Sequence, residues 1–191
     1  AWKESSASPI AMWTSDEYNA LRESFGNNEK NPICNRCWGQ EEHKNQSLRK
    51  RLLIQGGTFK KGELLEFVNE GHKQGPTQMN LMTSNKCNLR CRICRASSSV
   101  TFNAEGRVYE ERLKRKTIYT SSTPKPELFS TEQIDEIYRL SNNLQRIEFY
   151  GGEPLLDDPT LILLERLVKS DRSKNIVLFY NTNGTVKPTK Q

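Results

Sequence analysis

Three cysteines within eight residues, Cys87-Asn88-Leu89-Arg90-Cys91-Arg92-Ile93-Cys94, constrain this chain more than any other feature. The spacing C-x-x-x-C-x-x-C puts three thiols on one tight loop. Cys91 and Cys94 are too near each other for an easy structural bridge. Five cysteines in all is an odd number. It suits metal better than a disulfide framework and fits a reducing compartment, so a cytoplasmic location is expected. Three thiolates can each bind one iron of a cubane cluster and leave a fourth iron without a protein ligand. A catalytic metal centre needs such an open position, whereas a structural zinc site normally closes with four ligands. On spacing alone, zinc or a purely structural role stays open.

The hydrophobic pattern around these cysteines predicts alternating strands and helices. Gln78-Met79-Asn80-Leu81-Met82-Thr83 alternates polar and apolar, as a strand does, and runs straight into the cysteine loop. Residues 95–116 read as a partly helical excursion and 117–125 as a loop. Ser130-Thr131-Glu132-Gln133 has the form of a capping box, followed by Ile134, Ile137 and Tyr138 at helical spacing. Residues 144–150 form a second strand that ends in Gly151-Gly152-Glu153-Pro154. Asp158-Pro159 reads as a cap and first helical residue, with Leu161, Leu164, Leu167 and Val168 as the apolar face. Residues 175–180 read as a third strand, apolar from Ile176 onward, as expected of a parallel strand covered on its faces, and Asn181-Thr182-Asn183-Gly184 closes it. Alternating units of this kind imply an α/β fold with parallel pairing, whose active groups gather at the C-terminal ends of the strands. All three special motifs fall at those ends.

The order of these motifs resembles the radical S-adenosylmethionine (SAM) superfamily over roughly residues 77–186. The cysteine spacing after a first strand is similar to the family's signature. Gly151-Gly152-Glu153-Pro154 resembles its GGEP motif, and Thr182-Asn183-Gly184 its T-N-G ending. The resemblance implies a partial (β/α) barrel and a 4Fe–4S cluster on Cys87, Cys91 and Cys94. It implies that the cluster's open iron binds SAM and cleaves it to a 5′-deoxyadenosyl radical, which abstracts hydrogen from a substrate. A peptide, sugar or small metabolite is favoured as that substrate, and a flavodoxin or ferredoxin as electron donor. Gly151 and Gly152 then allow close approach to the methionine amino group, and Glu153 adds negative charge there. Ile93 stands where the family often has an aromatic residue near adenine, and Asn183 reaches SAM or substrate. Radical modification of RNA is an alternative, as is a non-catalytic zinc or iron–sulfur module.

Residues 1–75 differ in character from residues 76–191, with Gly75-Pro76 as the expected boundary. They read as short charged helices: one capped by Thr14 or Ser15 and ended by Gly26-Asn27-Asn28, a basic one from about 41 to 53 stopped by Gly56-Gly57, and one over 61–71. Cys34 and Cys37 supply half of a four-ligand site. The pattern Met12-Trp13-Thr14-Ser15-Asp16-Glu17, Leu21-Arg22, Cys34-x-x-Cys37, Glu41-Glu42 and Ser47-x-Arg49 resembles the cysteine segment of twitch-type (SPASM-related) radical SAM proteins. That resemblance implies an auxiliary iron–sulfur cluster; zinc or no metal are the alternatives, with His43 a further donor nearby. The other histidine is His72.

The formal charge is +6. The basic stretches at 44–61 and 107–116 read first as solvated helix faces, with nucleic-acid contact the weaker alternative because no aromatic residues interleave. The longest apolar runs, at 161–164 and 176–180, fall far short of a membrane span. A barrel βα unit takes about 30 residues, so only about three parallel strands fit after residue 75. The remaining strands of the family barrel are expected to be absent. The third strand is then expected to leave an apolar edge open.

Overall fold

The structure is a computed structural model that describes residues 7–43, 46–55, 73, 75–116 and 129–187. The helix expected over 61–71, the Gly56-Gly57 stop expected for the basic helix before it, His72 and the loop at 117–125 lie outside those residues.

The sheet is built from β1 (Gln78–Leu81), β2 (Arg146–Phe149) and β3 (Val177–Tyr180), all parallel, in the order β1-β2-β3. Met79 stands opposite Ile147, which stands opposite Leu178. Alternation then fixes the faces: Met79, Leu81, Ile147 and Phe149 are buried, while Asn80 and Glu148 point the other way.

Two helices cover the apolar face. The first begins with the expected capping box: Ser130 accepts from the Gln133 N–H, and the Gln133 side chain accepts from the Ser130 N–H. Its Ile134 and Ile137 join Leu144, Ile147 and Phe149 in the core. The second helix runs Asp158–Lys169 and adds Leu163 and Leu167. Ile147 and Leu163 are 0% exposed, so truncating either to Ala costs about 2–5 kcal/mol.

Two details of the second helix correct the sequence reading. Asp157, not Asp158, is its cap, accepting from the Thr160 N–H at 3.2 Å. The buried stripe is Thr160, Leu163 and Leu167; Leu161 and Val168 are 41% and 64% exposed. The Asp157 cap and a bond between the Thr160 and Thr83 hydroxyls set the helix's rotation, which apolar spacing left ambiguous by one residue.

β3 is apolar but not covered. Val177, Leu178 and Phe179 are exposed, so the covered strand inferred from composition is an open edge here, while the open apolar edge inferred from length is present. Only Tyr180 engages the core, stacking on Phe149 at 5.2 Å between ring centroids.

Among the described residues, four helices precede the sheet: α1 (Pro9–Trp13), α2 (Asp16–Gly26), α3 (Asn35–Glu42) and α4 (Leu48–Gln55). Later come α5 (Val100–Leu113), α6 (Thr131–Arg139) and α7 (Asp158–Lys169), the last two being the helices on the sheet. Ser15 caps α2, and Asp16 and Glu17 sit in its first turn, where the helix dipole favours acids. The single basic helix expected from 41 to 53 is two helices. Ser47 breaks it, its hydroxyl accepting from the Lys50 N–H and donating to Glu41. α1 docks on α6: the Ile10 N–H donates to the Glu136 carboxylate at 3.0 Å and Gln133 donates to the Ala7 carbonyl at 2.9 Å. Gly75 is buried with φ +98°, and a Cβ there would meet the Leu140 carbonyl oxygen at 2.1 Å. The expected boundary is thus a tight packing point.

Candidate metal and cofactor site

The three strand ends converge through backbone hydrogen bonds that continue past the sheet. Tyr150 N–H donates to Leu81 at 2.8 Å, Gly152 N–H to Ser84 at 3.1 Å and Glu153 N–H to Lys86 at 2.8 Å. The Gly151-Gly152 turn therefore lies flat on the segment leading into Cys87. Both glycines are required by that contact. A Cβ on Gly152 would stand 2.1 Å from the Lys86 carbonyl oxygen, and one on Gly151, where φ is +117°, 2.3 Å from that of Ser84. The close approach expected toward a ligand is, in this structure, an approach to the cysteine loop itself.

Glu153 is 1% exposed. Its carboxylate accepts from the Asn183 N–H at 2.7 Å, the Thr182 hydroxyl at 2.9 Å and the Leu155 N–H at 3.2 Å. A buried carboxylate needs such donors, and here Thr182 and Asn183 supply theirs from the loop after β3. Asn183 extends the link. Its side-chain amide donates to Asn88 at 2.9 Å and lies 3.7 Å from the Cys87 sulfur. Asn88 donates in turn to Thr185. One hydrogen-bonded chain thus joins the three motifs.

The cysteine loop is also tied from its far side. The Ser99 and Thr101 hydroxyls donate to the Leu89 carbonyl, each at 3.2 Å, and Val100 N–H donates to Asn85 at 2.9 Å. Cys94 N–H donates to the Cys91 carbonyl at 2.9 Å, closing a turn. All three thiols are free. Burial pushes the Cys94 thiol up, a backbone hydrogen bond at Arg95 opposes this, and the neighbouring Cys87 and Cys91 raise it further. Cys91 is exposed, and Ile93 is 96% exposed.

Behind the loop lies a buried polar thread. Thr83 and Thr160 hydroxyls are 2.7 Å apart, and Thr160 also donates to Asp157 at 2.7 Å. On the sheet face away from α6 and α7 the β1 and β2 residues are polar as well, while Val177 and Phe179 of β3 share that face. Glu148 accepts from Arg146 at 2.6 Å, from Gln78 at 3.4 Å and from the Tyr150 hydroxyl. The Tyr150 hydroxyl, and to a lesser degree Arg146, hold the Glu148 carboxyl below the usual range against partial burial, while Glu148 pushes the Tyr150 phenol up. Arg146 lies over the Phe179 ring at 3.5 Å.

Cys34 and Cys37 sit where a 3₁₀ turn (Pro32–Cys34) enters α3, half-buried and free. Their surroundings are local. Arg49 lies over Trp38 at 4.2 Å and pairs with Glu41, whose carboxyl is held low first by Arg49 and then by Ser47. Trp38 donates to the Asn31 carbonyl at 3.2 Å. His43 bonds the Gly39 carbonyl and the described contacts give it no place beside either cysteine.

The sequence reading singled out Glu153 and Asn183 but missed their partners. Thr182 was legible within its own motif. Ser99 and Thr101 lacked any signal, since only the fold brings α5 against the cysteine loop.

The radical SAM superfamily family model matches residues 81–190. The chain is similar to a curated protein of Paramaledivibacter caminithermalis, radical SAM cyclopropyl synthase TigE, at 31% identity over 110 residues. That stretch is 56% of this chain and 22% of the relative, so the chain spans about a fifth of that protein's length. No solved structure matches this chain.

Proposed function

The chain belongs to the radical SAM superfamily, and from that premise we propose that Cys87, Cys91 and Cys94 hold a 4Fe–4S cluster in a radical SAM enzyme. The observation that carries this reading is the hydrogen-bonded chain from Glu153 through Asn183 to Cys87. It joins the three strand-end motifs into one assembly, so residues far apart in sequence serve one loop. The donor set fits such a group. The thiols are free, and the Cys87 sulfur accepts from the Leu89 N–H at 3.4 Å and lies near the Asn183 amide, as a thiolate on a charged cluster favours.

When bound, the cluster and SAM supply one-electron chemistry that yields a radical able to abstract hydrogen. The chain's own residues do the rest. Glu153 and the glycine turn hold the cysteine loop against the sheet. Cys91 and Ile93 lie at the open side of that loop. Tyr150, Glu148, Arg146 and Asn80 line the uncovered sheet face. That polar wall supports a substrate with hydrogen-bonding groups, such as a peptide or a small polar metabolite. Which bond is attacked, and whether a cyclopropane results as in the relative's name, belongs to the whole protein. For Cys34 and Cys37 we keep an auxiliary iron–sulfur cluster as the reading, completed by ligands outside the described residues.

Anaerobic reconstitution with iron and sulfide tests the proposal. A brown protein with broad visible absorption is expected, and SAM plus a reductant should then give 5′-deoxyadenosine. A colourless protein carrying zinc defeats it.

A further inference from the structure

We infer that the groove between the cysteine loop and α5 binds an acidic peptide segment, the recognition element of a peptide substrate. The inference rests on the radical SAM reading proposed above and narrows its substrate class to peptides.

Charge is distributed unevenly along this chain. Residues 86–116 hold nine Lys and Arg against three acids, a balance of +6, which equals the formal charge of all 191 residues. All nine cations are exposed. Among the described residues, Arg90 is the one of them that pairs with an acid, Glu105 at 3.8 Å. Elsewhere Lys30, Arg49, Arg146, Lys169 and Lys174 each have a carboxylate partner. Gathered like charges repel one another, and an arriving anion relieves that cost.

The charge surrounds a groove. Arg90 and Arg92 from the cysteine loop face Phe102, Glu105, Gly106 and Tyr109 of α5 across a cavity of about 290 Å³. That stands at the lower end of the range for ligand sites, roughly 300–1,000 Å³, and suits a few side chains of an extended segment. The lining is mixed. Arg92 offers a planar fork that matches a carboxylate. Phe102 and Tyr109 offer apolar surface, with Tyr109 49% exposed. Glu105 offers acceptor oxygens, which Arg90 engages only loosely. A short acidic peptide satisfies all three at once: a side-chain carboxylate on Arg92, an apolar side chain on Tyr109 and a backbone N–H toward Glu105. A nucleic-acid strand finds cations and rings here too, but Glu105 repels its phosphates.

Position gives the groove its role. Arg90 and Arg92 flank Cys91, which is exposed. A segment held here lies beside the loop on which the cluster is proposed. An extended chain spans about 3.3–3.6 Å per residue, so residues a few positions along the peptide reach across that loop. Tethering raises their effective concentration there, to the order of mM for a short flexible linker. Recognition is then separate from chemistry: acidic residues select the peptide, and a neighbouring residue reacts. Arg107 and Arg112 extend the same sign along α5 and steer an anionic segment toward the groove.

Fluorescence anisotropy tests the groove. The probe is a short fluorescein-labelled peptide of glutamates around a single phenylalanine, titrated with the full chain at low salt. The chain is used loaded anaerobically with iron and sulfide and, in parallel, unloaded. Binding should weaken at least about tenfold in Arg92→Glu and about fivefold in Tyr109→Ala. The reversals Lys169→Glu and Lys174→Glu should change nothing. Replacing the peptide's phenylalanine by glycine should weaken binding to wild type by the same factor and have no further effect in Tyr109→Ala, the coupling expected of groups in contact. Peptide binding indifferent to Arg92→Glu overturns the inference, as does no binding at low salt. Purely additive losses in the Tyr109 cycle would mean unspecific charge attraction and overturn it too. A labelled uridylate strand that binds more tightly than the peptide and is released by Arg92→Glu gives the groove to nucleic acid instead. Peptide binding by a chain that takes up no iron supports the groove while the cluster proposal falls.

Discussion

Two cysteine sites in one chain are built in opposite ways. Cys34 and Cys37 lie at the entrance to a helix, and the contacts around them come from within about twenty residues: Asn31, Trp38, Glu41, Ser47 and Arg49. Cys87 to Cys94 are held on one side by nearby Ser99 and Thr101 and on the other by residues distant in sequence, Gly152 and Asn183 among them. The described contacts around Cys34 and Cys37 form with their helix and ask little of the rest of the fold. A site tied across three strand ends exists only when the sheet has formed, so its geometry is as rigid as the core beneath it. That is the arrangement a reactive centre needs, because a supporting shell fixes first-shell ligands.

The strongest way to break the comparison is to remove ligands. Cys87→Ala, Cys91→Ala or Cys94→Ala should abolish the cluster that reacts with SAM, a loss of about four irons per chain by elemental analysis. Cys34→Ser with Cys37→Ser should leave that cluster intact and remove only additional iron. Equal loss in both variants would erase the distinction.

Next comes the glycine turn. Gly152→Ala sets a methyl group against the backbone of Lys86, and neither partner can rotate away. A loss of about 2–4 kcal/mol is expected in denaturant titration. Gly39→Ala in α3 meets nothing within 4 Å and should stabilise slightly by helix propensity, by roughly 0.5–1 kcal/mol. Similar costs for the two would mean that the turn is not packed as described.

Asn183→Ala sharpens the comparison further. Removing an N–H near the Cys87 sulfur should make the cluster harder to reduce, by about tenfold in equilibrium or ~59 mV. An EPR-monitored redox titration reads this directly, and a merely structural role would leave the potential where it is.

The smallest effect belongs to the polar sheet face. Tyr150→Phe should cost about 0.5–1.5 kcal/mol at neutral pH, less if solvent screens the pair. Glu148 is held below the usual carboxyl range first by Tyr150, so the stability it contributes is present above the ordinary carboxyl value and is lost as pH falls through the depressed one. The difference between wild type and variant should therefore shrink in acid. A difference that grows there would contradict the assignment.

Much of this was legible because the local rules agree. The capping box at Ser130 and the alternation of Gln78 to Leu81 are written in adjacent residues, and the structure has both. The rotation of α7 was not legible. Apolar residues occupy Leu161 to Leu164 continuously, so spacing could not say which two face the sheet; a threonine hydroxyl reaching Thr83 decided it. The break between α3 and α4 was equally hidden, since it depends on Ser47 finding Glu41.

By itself, the sequence determined the order of the motifs and their places at the ends of parallel strands, because strand period, caps and glycine turns are set by short-range sterics and hydrogen bonding. Only the tertiary structure decided what those motifs do to one another. Gly151 and Gly152 are glycine because the cysteine loop's backbone occupies the space beside them, and Glu153 is buried because Thr182 and Asn183 arrive from another strand to satisfy it. Such contacts join groups 29 or more residues apart, and no local pattern carries the distance between them.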